Sequence, residues 1–291
     1  MPNIDTTFLR NAFDRYLARF ETGTLVPTDY YLSYDFDREI CQYWWDPMRM
    51  HLVVNELQEL TNILNDWQSM LWSWRAWNQV LTTYSEKEAW GLQKEFSEPL
   101  ARTCLLKPSS VRDTFTFVAT NAMHQVQLAL DTGRKDYLDG DPVSSGKKPR
   151  YLNRTQKEHR LANLVSPWPE GADFIAALQK IDDKEYRKES LDYRNRSSHA
   201  IGPRLGVGHT QLVTREVVQA IEMKRLDDGT YEERTIPGKM AVSYAFGGIP
   251  PLDMEQARTI NLDQYLRARV TYNHYRTLLS AGMSKLPKKA C

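Results

Sequence analysis

From Asp46 to Leu81 the chain reads DPMRMHLVVNELQELTNILNDWQSMLWSWRAWNQVL. Asp46 before Pro47 pairs an N-cap with proline at the first helical position, where no N–H is needed. Behind them Val53, Leu57, Leu60, Leu64, Trp67, Leu71 and Trp74 recur at steps of three and four, the period of one helix face. Ile63, Met70, Trp77 and Leu81 widen that face, so the stretch predicts a long, deeply buried helix and, with it, a mainly α fold. Seven of the eight tryptophans lie between Trp44 and Trp90. They could form a base-stacking platform, but their helical spacing favours the core.

The flanking segments carry the same period. Leu9, Phe13, Leu17 and Phe20 predict one short amphipathic helix before the long one. After it, Ser85 with Glu88 makes a capping box for a helix carrying Leu92 and Phe96 until Pro99 perturbs it. Ser110 with Asp113 resembles a second such start, with Phe115, Val118, Ala122, Val126 and Leu130 running to a stop at Gly133. His51 and His124 fall inside these runs and read as structural histidines. Residues 131–150, with Gly140-Asp141-Pro142 and Ser144-Ser145-Gly146, read as an internal surface loop. A helix near Thr155 to Leu164 follows, and then another from about Glu170 through His199, which turns Phe174, Leu178 and Ile181 to the core.

Past Pro203 the pattern changes. Val217, Val218, Ile221 and Met223 lead to Asp227-Asp228-Gly229, then Tyr231 to Ile236 and Met240 to Phe246, which predicts a hairpin with a third short strand. The segment from Leu212 to Ala220 is also compatible with a helix. A last helix near Leu262 to Leu279 shows Leu262, Leu266, Val270 and Leu278, with His274 in the same series. The expectation is a single helical domain over residues 1–291, a bundle with a small β-hairpin insertion at 211–250 before the C-terminal helix.

Where the charged middle helix should end, the chain reads Leu191-Asp192-Tyr193-Arg194-Asn195-Arg196-Ser197-Ser198-His199-Ala200-Ile201-Gly202-Pro203. A helix advances about 100° per residue, so Asn195 and His199 stack at i,i+4 and the amide can orient the ring. Arg194 starts further round, but its long fork can swing over a phosphate held near the imidazole. Gly202-Pro203 is a helix stop that leaves His199 at the negative end of the dipole, where imidazolium is favoured. The same residues also fit an ordinary helix end, with Arg194 paired to Asp192 or Glu189 and His199 merely set against the dipole.

Arg194-Asn195-x-x-x-His199 resembles the signature of the HEPN superfamily, small helical proteins that mostly act on RNA. Tyr193 before the motif and the small residue after His199 also look like that family. The resemblance implies a bundle of HEPN type, with Arg194 and His199 as the catalytic pair, Asn195 as a polar helper, and a homodimer whose two motifs share one cleft. It further implies that His274 or Tyr275 on the last helix could stand near the site. The six-residue pattern arises by chance in roughly one chain in a hundred of this length.

Composition bounds the partners. Aromatic content of 11% argues against disorder. Three cysteines, Cys41, Cys104 and Cys291, form neither a disulfide lattice nor a metal spacing, which points to the reducing cytoplasm. No apolar stretch reaches about 18 residues and Met1 to Asp5 carry no basic lead into an apolar core, so no membrane partner is expected. Net charge is +1, but Lys147, Lys148, Arg150, Arg154, Lys157 and Arg160 face only Glu158 in their window. That run fits either phosphate contact or a solvated face.

Arg204-Leu205-Gly206-Val207-Gly208-His209 suggests a phosphate loop but lacks the Gly-x-x-x-x-Gly-Lys-Ser/Thr spacing. His159, His199 and His209 form no recognisable metal set, and no Gly-x-Ser-x-Gly elbow occurs. The sequence therefore points to a metal-independent endoribonuclease without cofactor, acting on RNA as a toxin, antiviral defence effector or processing factor, with an antitoxin or regulatory partner. The alternative is a non-catalytic RNA-binding or protein-interaction helical dimer.

Overall fold

A computed structural model describes residues 6–23, 30–142 and 146–289. Its contacts divide the chain, read above as one domain, into two compact units: residues 1–194 with 254–291, and residues 195–253.

The first unit is a helical bundle around three long helices, α3 (Pro47–Leu81), α5 (Glu98–Leu130) and α10 (Met254–Met283), which pack pairwise on one another. Asp46 caps α3 by accepting the Met48 N–H at 3.0 Å, with Pro47 just inside. All seven residues of its expected stripe, from Val53 to Trp74, are fully buried. Each large side chain so buried contributes about 1.5–3 kcal/mol relative to exposure, which makes this stripe the main support of the bundle.

Helix α1 (Thr6–Glu21) forms where expected, but its inward face matches the expected stripe only in part. Phe13 and Leu17 are exposed, while Ala12 is buried with Phe8 and Tyr16 alongside. The Tyr16 ring stacks on Trp77 at 4.7 Å, and Phe96 covers Trp77 from its other side at 4.3 Å. Leu9 of the expected stripe packs on the same cluster and Phe20 meets Trp72 edge-on, so aromatic stacking and a buried alanine shift the stripe rather than replace it.

Ser85 and Glu88 close the expected capping box at the start of α4 (Glu86–Leu92). A π-helical turn, Gln93–Ser97, then feeds α5, with Pro99 in the first turn of the new helix. The restart expected at Ser110 does not occur, because α5 runs unbroken through Pro108. Proline removes the N–H that would bond the carbonyl four residues back. That carbonyl, on Cys104, instead accepts from Asn261 Nδ2 of α10 at 2.8 Å. Fully buried Asn261 also accepts from Trp67 Nε1 at 2.9 Å, so one amide ties all three long helices together.

Residues 131–153 carry neither helix nor strand among those described; 143–145 lie outside the described residues. Asn153 caps α6 (Arg154–Val165) through a box with Gln156. The single helix expected from Glu170 through His199 is three: α7 (Glu170–Gln179), α8 (Lys184–Glu189) and α9 (Tyr193–His199). The breaks are residues with left-handed φ, Asp182 at 52° and both Leu191 and Asp192 at 51°. Helix α10 is longer than expected and buries polar Asn261, Gln264 and Thr271 beside Tyr265, Tyr272 and Tyr275, while Val270 of the expected stripe is exposed.

In the second unit β1 (Thr210–Arg225) and β2 (Tyr231–Ile249) form one long antiparallel ribbon. There are two strands, not three, and 212–220 is extended rather than helical. The break expected between Ile236 and Met240 is a bulge within β2: Gln219 pairs Met240, but two residues on Ile221 pairs Thr235. Pro237 has no N–H to give a ladder, and Gly238 takes φ 72°, so both suit the looped-out position.

This bulge switches the parity of β2. On one face β1 sets Val213, Val217, Ile221 and Met223, and β2 sets Phe246, Tyr244, Val242 and Met240, then, past the bulge, Tyr231. All nine are exposed. The other face carries Thr214, Glu216, Glu222 and Lys224 opposite Ala245, Ser243, Arg234 and Glu232.

Candidate functional site

The route to α9 is fixed by an arginine cluster. Arg154 Nε and Nη2 bond Asp113 at 2.8 and 2.9 Å, its Nη1 bonds Asp182 at 2.6 Å, and Nη2 also reaches Ser109 Oγ at 2.6 Å. Burial opposes the charge of Arg154, yet its hydrogen bonds to Asp113 and Asp182 prevail and raise its pKa. Arg187 adds a second bond to Asp182 at 2.8 Å, and Gln264 Oε1 accepts the Asp182 N–H at 2.7 Å. A buried carboxylate this fully engaged can hold a left-handed backbone that costs of order 1–3 kcal/mol.

Asp183 next caps α8 by accepting the Tyr186 N–H at 2.8 Å and pairs Arg267 of α10 at 2.6 Å. Tyr186 is buried, and its hydroxyl meets Asn261 Nδ2 at 3.2 Å. The Asp192 N–H returns to the Arg187 carbonyl at 2.6 Å, closing α8 before α9 begins.

Helix α9 carries all three motif residues, and the division between the two units falls inside it, after Arg194. In the first unit Tyr193 is buried and Arg194 half-buried. In the second, Asn195 is half-buried and His199, one turn on, is exposed as the last residue of the helix. In the turn after it, a Cβ at Gly202 would lie 2.3 Å from Ser197 Oγ, so a larger residue there would make that hydroxyl rotate away.

The segment that follows makes a feature the sequence reading missed. Leu205 bridges Leu252 in parallel, with the Gly206 N–H on the Leu252 carbonyl at 2.8 Å and the Leu252 N–H on the Arg204 carbonyl at 2.9 Å. Gly206 and Gly208 both take positive φ. The result is a cleft of about 450 Å³ within the second unit, lined by Ile201, Gly202, Arg204, His209, Thr210 and Gln211. Two potential phosphate donors, Arg204 and His209, thus share one concavity. The loop leads into strand β1, so the strand-to-helix setting of a nucleotide loop does not arise.

The basic run is partly committed to structure. Arg154 serves the Asp182 corner, Arg150 pairs Asp139 at 3.0 Å, and Arg160 donates to the Asp139 carbonyl at 2.6 Å. Lys157 lies over the ring of Tyr151, 5.9 Å from its centre, and that residue is 86% exposed. Lys148, Arg150, Tyr151, Lys157 and Arg160 border a second cleft of about 530 Å³, in the first unit.

The remaining candidates are placed as follows. His124 is buried with Nε2 2.8 Å from Asp136, and His51 is exposed. Tyr275 is buried against Phe174 with its hydroxyl pKa raised by burial, and His274 borders a groove between α7 and α10. Trp67, Trp74 and Trp77 belong to the core, whereas Trp44 and Trp90 are exposed. Among the described residues no three His, Cys, Asp or Glu side chains are grouped to hold a metal ion. Nor is any described helix long and apolar enough to cross a membrane. Comparison of the chain with family models, curated proteins and solved structures finds no match.

Proposed function

We propose that the chain is a metal-independent endoribonuclease of HEPN type that works as a homodimer in the cytoplasm, as a toxin or antiviral defence effector held by an antitoxin or other regulatory partner. The observation that carries this reading is the exposed imidazole of His199 at the end of α9, one turn beyond Asn195, in the run that begins at Arg194.

The ribose 2′-oxygen attacks the adjacent phosphorus as His199 takes its proton, and the P–O5′ bond breaks as that oxygen is protonated. The guanidinium of Arg194 meets the charge that builds on the non-bridging oxygens, where its planar fork matches two of them. Asn195 orients the imidazole or holds a phosphate oxygen. Products are a 2′,3′-cyclic phosphate and a 5′-hydroxyl. One histidine per chain serves poorly as both base and acid, so a second copy, pairing through the face that bears residues 191–203, supplies the other. The Arg204–His209 cleft and the exposed Tyr151 beside Lys157 are further surfaces suited to phosphate and base.

The test is pure full-length protein incubated with labelled RNA and DNA pools, followed by end-group analysis. A 2′,3′-cyclic phosphate on cut RNA with DNA intact is expected. His199→Ala and Arg194→Ala each lower the single-turnover rate roughly a hundredfold or more, with helicity unchanged. Tight RNA binding without cleavage would favour the non-catalytic dimer instead. Full cleavage by both variants would move the cutting centre elsewhere.

A further inference from the structure

We propose that the apolar face of the β1–β2 ribbon docks against the same face of a second copy of this chain. The proposal stands apart from the RNA-cutting reading, since it concerns residues 213–246 and neither the motif nor its chemistry.

An isolated two-stranded ribbon is marginal in water, and a face that exposes nine large apolar side chains, interspersed with Arg215, Gln219, Arg225, Glu233 and Thr235, marks a surface made to be covered. From their fractional exposures the nine side chains present on the order of 1,000 Å², against about 800 Å² per partner in a standard interface. Phe246 alone is 91% exposed. The opposite face has no such stripe and pairs its own charges, Arg234 with Glu232 at 3.0 Å.

The pattern along the face identifies the occupant as a second copy. Place a two-fold axis between two ribbons laid face to face, across the strands at the Gln219–Met240 pair. Counting outward in register, the Val217–Val242 pair of one copy then covers Ile221–Thr235 of the other. The Arg215–Tyr244 pair covers Met223–Glu233, which brings Arg215 diagonally to Glu233 of the second copy. The Val213–Phe246 pair covers Arg225–Tyr231, setting Phe246 against a tyrosine and an arginine. In that register Val217 meets Ile221, Phe246 meets Tyr231 and Met240 meets its own copy, while Arg215 at one end lies diagonal to Glu233 at the other. Such self-complementarity is what an isologous contact requires, and the product is a four-stranded sandwich of two ribbons.

Sedimentation of the full chain, without RNA, tests this over a range of concentrations. Association through the ribbon is expected as a step distinct from pairing through residues 191–203, and Tyr244→Glu should raise the dissociation constant of that step at least a hundredfold with far-ultraviolet dichroism unchanged. Arg215→Glu alone and Glu233→Arg alone should each weaken it about tenfold, and the two together should restore it, a result that misfolding cannot mimic. A monomeric chain, a dimer indifferent to Tyr244→Glu, or a double charge variant no better than the singles would overturn the proposal. So would a monomer that floats with phosphatidylserine vesicles through this face. RNA cleavage is read separately, so its failure would leave the sedimentation result intact.

Discussion

Replacing Asn261 with leucine should expose how α5 tolerates Pro108. The change keeps the side-chain volume, so little cavity forms, but it strips Trp67 Nε1 and the Cys104 carbonyl of the partners they hold at 2.9 and 2.8 Å. Tyr186 keeps its 3.3 Å bond to the Leu105 carbonyl. Two buried groups left unsatisfied, at about 1–3 kcal/mol each, set the loss at roughly 2–6 kcal/mol. Pro108→Ala returns an N–H directed at the Cys104 carbonyl and should recover about 1–2 kcal/mol in the Asn261→Leu background, more than it gives in the parent. Urea unfolding followed by helical dichroism on the four chains measures the coupling, because the ribbon is common to all and cancels. A loss below about 1 kcal/mol, or a Pro108→Ala effect equal in both backgrounds, would refute the account of the repaired carbonyl.

Other expectations follow from single sites. Burial alone would raise the pKa of Glu98, but its bonds to Lys94 and Arg102 outweigh burial and lower it. A lowered folded value means stability that is present above the ordinary glutamate range and lost as pH falls through the folded value. The stability gap between parent and Glu98→Gln should therefore narrow on acidification below that range, as denaturant midpoints against pH will record. Burial pushes the Cys104 thiol up to about 12, whereas Cys41 is exposed, so brief iodoacetamide treatment should label Cys41 and spare Cys104 until the chain unfolds, as peptide mass mapping will read. In the cleavage assay Arg194→Lys should stay nearly as poor as Arg194→Ala, since an ammonium cannot reproduce the fork, Asn195→Ala should lose less, and EDTA should leave the rate unchanged. Activity abolished by EDTA and restored only by a divalent ion would contradict the mechanism.

Helix α3 was legible because its cap, its period and its burial all rest on residues near one another in sequence. Helix α5 was not, since Pro108 and Ser110 imitate a boundary that only Asn261, far along the chain, removes. The segment 170–199 misled for the same reason: its helical pattern is locally sound, but Arg154, Arg187 and Gln264 hold Asp182 in a left-handed corner. The stripes read in α1 and α10 hold only in part: Leu9, Phe20 and Leu278 turn inward, Phe13, Leu17 and Val270 do not, and Ala12, Tyr16, Asn261, Gln264 and Thr271 join the inward faces unannounced. At the candidate site, the Arg194-Asn195-His199 pattern is a sequence feature in its own right. The run Arg204 to His209 stands out in the sequence as a glycine-bearing loop, but its concavity goes with the Leu205–Leu252 bridge, between residues far apart in the chain.

That bridge also bears on how the chain folds. Residues 195–253 interrupt a bundle whose last helix must return to partners formed long before it. An open loop of that length would have its ends wandering, and the closure entropy would burden every docking attempt of α10. Strand pairing and the Leu205–Leu252 contact instead hold the two ends of the segment together from within. Once the hairpin has zipped, in microseconds, the effective loop shrinks to the short stretches flanking the bridge. The segment can then behave as a cassette, free to change in length at the Asp227-Asp228-Gly229 turn while the helices on either side are spared the kinetic burden.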